Sequence, residues 1–356
     1  MQTKSAYLVL ENGMVFCGQS IGYEAEAIGE IVFSTSMVGC LGTLTDPNFC
    51  GQIVVETFPL IGNYGVISKD LESKGTALAA YIVRDLCQEP SNFRSEGALG
   101  VFLSEHKVVG LADIDTRALT RIIRSAGSMK AKITFAEPDV DAIRAELAAF
   151  CAPNAVEAVT CKEASAAAPA DAKHRVVLWD FGAKDCIGEA LLARGCEVIT
   201  VPAGTSAKDI LAYDPDGILL SNGPGDPAAN PEIIAEIKAV TASGKPMFGI
   251  DLGNLMLAIA MGAKTEKMLH GHRGSQPAIR LSDKRVFITS QNYGYTINEE
   301  QLPETIEVSY KNGNDAAIEG VEYKTIPAFG VQFMPSSVGG PIATDFLYDT
   351  FIGMME

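Results

Sequence analysis

Apolar residues fall into two rhythms along this chain, and the change between them marks its organisation. Over the first 150 residues short strand-like runs alternate with turns, at 6–10, 30–33, 52–57, 78–84 and 107–110. Asn12-Gly13, Asp46-Pro47 and Ile61-Gly62-Asn63 punctuate them, so the pattern predicts strands joined by tight turns. Helical spacing appears at 115–125, where Leu119, Ile122 and Ile123 share a face behind an Asp115 cap. It recurs at 140–150, with Ile143, Leu147 and Phe150. Residues 1–163 therefore read as one mixed α/β domain. Six alanines and Pro169 within 164–172 then read as a linker, 164–173, with a short helix as the alternative.

From 174 to 356 strands and helices alternate. Strands are expected at 175–179, 197–201, 217–221 and 247–250, with helices at 185–194, 208–213, 231–243 and 252–261. Such alternation implies a mainly parallel sheet with helices on both faces and ligands at the carboxyl ends of its strands. The last hundred residues carry more strand and hairpin signals, notably Asn312-Gly313, and end in a helix near 343–352. The fold class is α/β throughout.

Composition narrows the function. The 356 residues carry 28 basic and 44 acidic side chains, a net charge of −16. Both halves are acidic and neither has a basic stripe in sequence, which argues against nucleic acid and anionic membrane as partners. The longest apolar stretch, at 255–263, falls well short of the roughly 18 residues that span a bilayer. With no export signal visible, a soluble cytoplasmic chain is expected. Cys17, Cys40, Cys50, Cys87, Cys151, Cys161, Cys186 and Cys196 form no C-x-x-C pair or zinc spacing, so reduced, mostly buried thiols and no metal site are expected.

Two strand ends carry candidate chemistry. In 220–227, LSNGPGDP, Gly223 and Gly225 let backbone approach a ligand and turn N–H groups toward an anion; an ordinary Gly/Pro turn is the plain alternative. In Gly249-Ile250-Asp251-Leu252-Gly253 the flanking glycines give the layout of a nucleophile elbow. Asp251 stands where such an elbow carries Ser or Cys, and a helix cap is the competing reading.

Taken with FSTSM at 33–37, LTDP at 44–47, QIV at 52–54, IGNYG at 61–65 and IDTRALTR at 114–121, the chain resembles a known family. DFGAK at 180–184, GHRG at 271–274, TSQN at 289–292 and GVQF at 330–333 extend the match. It is similar to the glutamine-amidotransferase small subunits of carbamoyl phosphate synthetase. The resemblance implies a small-subunit domain followed by a class I amidotransferase domain that hydrolyses L-glutamine to supply ammonia. It also implies docking on a large synthetase subunit that holds ATP and Mg, with no cofactor in this chain. No G-x-x-x-x-G-K-[ST] loop contradicts that division. Arginine and pyrimidine biosynthesis are the pathways such a complex serves.

The same resemblance places a catalytic Cys, His and Glu at positions where this chain has Asp251, Met334 and Ser336. Further implied glutamine-site positions are Asn48, Gly223, Gly225, Leu252, Leu255, Asn292, Gly294 and Tyr295. Several depart from the family pattern. Asn254-Leu255 replaces His-Gln, Asn48 a Ser, Tyr293 a His, and Gly39-Cys40-Leu41-Gly42 a Gly-Tyr-Gln-Glu run. An ionised carboxylate is a poor attacker of an amide and sits badly beside a developing oxyanion. The expectation is a small subunit whose glutaminase is lost or severely impaired, binding glutamine weakly or not at all. The alternatives are a diverged metabolite-binding paralogue and a hydrolase using Asp251 as nucleophile.

Overall fold

The structure, a computed structural model, describes residues 4–337 and 340–356. The chain divides after Pro153 into two units. Strands of the first are β1 (Ser5–Leu10), β2 (Val15–Gly22), β3 (Ala27–Ser34), β4 (Gln52–Glu56) and β5 (Leu60–Ile61). After them come β6 (Ala80–Ile82), β7 (Asp85–Leu86), β8 (Val109–Ala112) and β9 (Met129–Thr134). Its helices are α1 (Cys40–Thr45), α2 (Leu99–Glu105), α3 (Thr116–Ala126) and α4 (Val140–Ala149).

Seven of these strands close into a barrel in the order β1-β2-β8-β6-β4-β3-β9. Strands β3, β4, β6 and β8 run parallel, and antiparallel pairs through β9, β1 and β2 complete the circuit. Along β4, Ile53 and Val55 enter one apolar cluster and Val54 another, so both faces are buried. That explains the unbroken apolar run at 53–55. Helix α3 contributes Leu119 and Ile123 to the first of these clusters, and the Asp115 carboxylate accepts from Ala118 N at 3.0 Å to cap it.

The second unit opens with α5 (Ala155–Val159) and β10 (Ser165–Ala167). An alternating core follows: β11 (His174–Asp180), α6 (Asp185–Ala193), β12 (Cys196–Pro202), α7 (Ala207–Ala212) and β13 (Gly217–Leu220). It continues through α8 (Pro231–Thr241), β14 (Met247–Ile250) and α9 (Leu252–Ala260). Last come β15 (Thr265–Arg280), β16 (Val286–Ile297), β17 (Ile306–Asn312), β18 (Ile318–Tyr323), β19 (Ala328–Val331) and α10 (Phe346–Gly353). The sheet order is β10-β12-β11-β13-β14-β19-β18-β17-β15-β16. Its centre, β12 to β19, is parallel as the alternation predicts, and the late strands extend it antiparallel.

Two expectations need correction. Residues 154–163 belong to the second unit, and the alanine run is no free linker: Ser165–Ala167 pairs antiparallel with β12. Hydrogen bonds that composition does not register hold this segment. Thr160 Oγ1 donates to Asp180 O at 2.7 Å and accepts from Ala203 N at 2.9 Å, and Cys161 N reaches Asp180 Oδ2 at 2.7 Å. The thiols are also less buried than expected. Cys40 and Cys196 are buried, Cys50, Cys87, Cys161 and Cys186 are half-buried, and Cys17 and Cys151 are exposed; none of the eight forms a disulfide. No helix among the described residues is long and apolar enough to cross a membrane.

Phe248 anchors one face of the second sheet, stacking on Phe329 at 4.4 Å and meeting Tyr348 edge-on at 6.0 Å. Phe248→Ala should destabilise this unit by about 3–5 kcal/mol. The fluorescence of the single tryptophan, Trp179, buried in the same sheet, will read that loss in a urea titration.

Candidate functional site

The parallel sheet ends where β13, β14 and β19 lie side by side, and the turn from β14 into α9 is its tightest point. Asp251 sits there at φ 53° and ψ −110°, a conformation costly for a residue with a Cβ. Neighbours force the flanking glycines. A Cβ on Gly249 would lie 2.8 Å from Asn254 Cα, and one on Gly253 2.4 Å from Leu220 O. A Cβ on Gly223, in the loop after β13, would lie 2.5 Å from Phe181 O and 2.8 Å from Leu252 Cδ2. Gly225 takes φ 90° in the same loop. The elbow is real.

Asp251 is buried, and its backbone N donates to Val331 O at 2.8 Å. The side chain makes no helix-capping hydrogen bond, which corrects the capping alternative. Gln332 holds the carboxylate instead, donating from Nε2 to Asp251 Oδ1 at 3.0 Å, while Asn254 Nδ2 donates to Gln332 Oε1 at 3.0 Å. Because Ile250 pairs with Val331, the elbow and residues 332–336 leave the sheet at one edge. Met334 is buried in the apolar cluster around Phe333 and Tyr348, its N bonded to Ser290 O at 2.9 Å. Ser336 is half-buried, and its carbonyl accepts from Cys186 Sγ at 3.6 Å.

Other sequence-derived positions divide. Leu252, Leu255 and Tyr295 share one apolar cluster, Leu255 lying 2% exposed. Asn292 and Gly294 alternate with the buried Gln291 and Tyr293 along β16. Asn48 belongs to the first unit, buried after α1, its N bonded to Asp46 Oδ1 at 3.0 Å. What sequence reasoning missed is a polar cluster centred on Glu319, which is fully buried. Tyr293 Oη donates to Glu319 Oε1 at 2.7 Å, Gln291 Nε2 at 2.8 Å and Asn312 Nδ2 at 2.7 Å. His272 joins through Nδ1 to Tyr293 Oη and Nε2 to Asp315 Oδ2, each 2.8 Å. Both ring nitrogens of that histidine are thus occupied. Of the other three, His106 stacks on Phe102, His174 opens β11 and His270 lies on β15.

Two family models divide the chain. Residues 8–133 match the carbamoyl-phosphate synthase small chain, CPSase domain, and residues 177–354 match glutamine amidotransferase class-I. The carbamoyl phosphate synthase pyrimidine-specific small chain of Bacillus subtilis is 46% identical over 352 residues, covering 98% of this chain and 95% of that one. The chain belongs to the carbamoyl phosphate synthase small chain family. Small chains of Bacillus cereus and Chlorobaculum tepidum are each 44% identical, across 98% and 100% of this chain and 95% and 99% of theirs. The glutamine amidotransferase domain of this small chain is thus its second unit.

Burial opposes protonation of His272, but the Glu319 and Asp315 carboxylates outweigh it and raise its pKa above 6.5. A raised folded-state pKa favours the protonated form. Its stabilisation is complete below pH 6.5 and fades as pH climbs through the folded value. Urea midpoints read by Trp179 fluorescence should therefore fall between pH 6 and 9 in the native chain, and the His272→Gln variant should lack that component.

Proposed function

We infer that this small subunit docks on a large synthetase subunit and has lost, wholly or nearly, the hydrolysis of glutamine, leaving the complex to use free ammonia. The observation that carries the reading is the occupant of the elbow. A buried carboxylate held by Gln332 stands at the strained turn, and a buried thioether and a hydroxyl stand three and five residues beyond Val331. An amide is cleaved by a thiolate or activated hydroxyl beside a base, with donors gathered at the oxyanion. Asp251 offers a carboxyl group held by Gln332 instead, with neither a thiol nor a hydroxyl to attack. Met334 accepts no proton usefully. The resemblance implies a glutamine contact at position 255, where Leu255 offers no polar group. Carbamoyl phosphate is then assembled on the large subunit, with ATP and Mg bound there.

Stepwise repair tests this. Asp251→Cys alone should show no glutaminase, since a thiol without a base remains mostly protonated. Asp251→Cys with Met334→His and Ser336→Glu should exceed the single variant at least ~100-fold in ammonia release, at low absolute turnover. Adding Leu255→Gln and Asn48→Ser should lower KM more than it raises kcat. Appreciable hydrolysis by the single Cys variant would overturn the reading.

A further inference from the structure

In the first unit, an open cleft of about 480 Å³ lies at the carboxyl ends of the four parallel barrel strands. Thr35 follows β3, Thr57 follows β4, Arg84 and Asp85 follow β6, and Thr116 and Arg117 stand just beyond β8 at the start of α3. Carboxyl ends of parallel strands are where α/β folds place their ligands. The opposite wall is the outer face of α3, where Arg117, Arg121 and Arg124 recur at helical spacing along about 10 Å of axis.

Charge makes this cleft unlike the rest of the unit. Residues 1–153 hold twelve basic and eighteen acidic side chains, yet four of the twelve line this one concavity. Elsewhere in the unit Arg94 pairs with Asp70, Arg144 with Asp141, and Lys132 with Glu26 and Glu146. Among the described residues Arg84, Arg117, Arg121 and Arg124 form no ion pair, and all four are exposed. Asp85 is the one acidic residue in the lining, which leaves a net charge of +3.

We propose that the cleft binds a small anion carrying at least two linked phosphoryl groups. Guanidinium forks match phosphoryl oxygens two at a time, and four of them border this one opening, more than a single phosphoryl group would engage. Thr35 and Thr57 hydroxyls stand at the strand ends to bond further oxygens, whereas the Thr120 hydroxyl is committed to Thr116 O at 2.6 Å. The volume falls within the small-ligand range and exceeds a pyrophosphate alone, so an organic group can accompany the phosphates.

Calorimetric titration of the full chain with sodium pyrophosphate, in EDTA at low and high salt, tests the proposal. The expected result is saturable 1:1 binding, weakened by salt and tighter than inorganic phosphate. Arg84→Ala and Arg121→Ala should each weaken it roughly tenfold, and Arg94→Ala, already paired with Asp70, should not. Arg121→Lys, which keeps charge but loses the fork, should also weaken it with no change in melting temperature. Absence of saturable binding, or indifference to Arg84 and Arg121, overturns the proposal. So does hexaglutamate binding as tightly as pyrophosphate, which would assign the cleft to an acidic protein segment.

Discussion

Everything about the second unit's candidate chemistry depends on one crowded turn. Between Leu220 O and Asn254 Cα there is no room for a Cβ at Gly253 or Gly249. The chain can pass from β14 into α9 only by forcing Asp251 to positive φ. A conformation of this kind costs on the order of 1–3 kcal/mol and persists because its surroundings over-determine it. Here they do so through strand pairing at Val331, the close approach of Gly223 to Leu252, and the Gln332 amide on the carboxylate. The turn delivers one side chain to the end of the sheet whatever that side chain is. Fold and chemistry can separate at this point, since the geometry is enforced by glycines and backbone while reactivity rests on exchangeable side chains.

Local signals were legible in the sequence. The apolar spacing and Asp115 cap located α3, alternating runs located the parallel core, and paired glycines located the elbow. Long-range closure was not. The barrel is sealed where β1 meets β9, more than 120 residues away, and neither strand carries a mark of its partner. The Ser165–Ala167 strand was hidden for a related reason: alanine-rich composition resembles a linker, and backbone pairing with β12 makes it a strand. Glu319 escaped notice because its partners, His272, Gln291, Tyr293 and Asn312, converge only through the antiparallel extension. Gln332 lay within a family-like motif, but nothing in the motif says that its amide would hold Asp251.

The two units show opposite solutions to placing charge. In the second, one oxygen of a fully buried carboxylate, Glu319 Oε1, is held by Tyr293, Gln291, Asn312 and His272, while Oε2 has no hydrogen-bond partner among the described residues. In the first, four guanidiniums gather around a concavity with one carboxylate among them, so their counter-charge must come from outside. The buried network converges on Glu319 within the sheet, whereas the four guanidiniums border the opening of a strand-end cleft. Acidity of the chain as a whole conceals the second feature, because net charge averages over it.

Nitrogen partition in the reconstituted complex tests the central claim most directly. Small and large subunits would be supplied with amide-15N glutamine and unlabelled ammonium together, and the isotope content of the carbamoyl phosphate read by mass spectrometry. An elbow that keeps its shape without its reactivity predicts product nitrogen drawn entirely from ammonium, with the glutamine amide intact. Enrichment of the carbamoyl nitrogen from glutamine would contradict the account, because Asp251 and its neighbours would then be sufficient to cleave an amide.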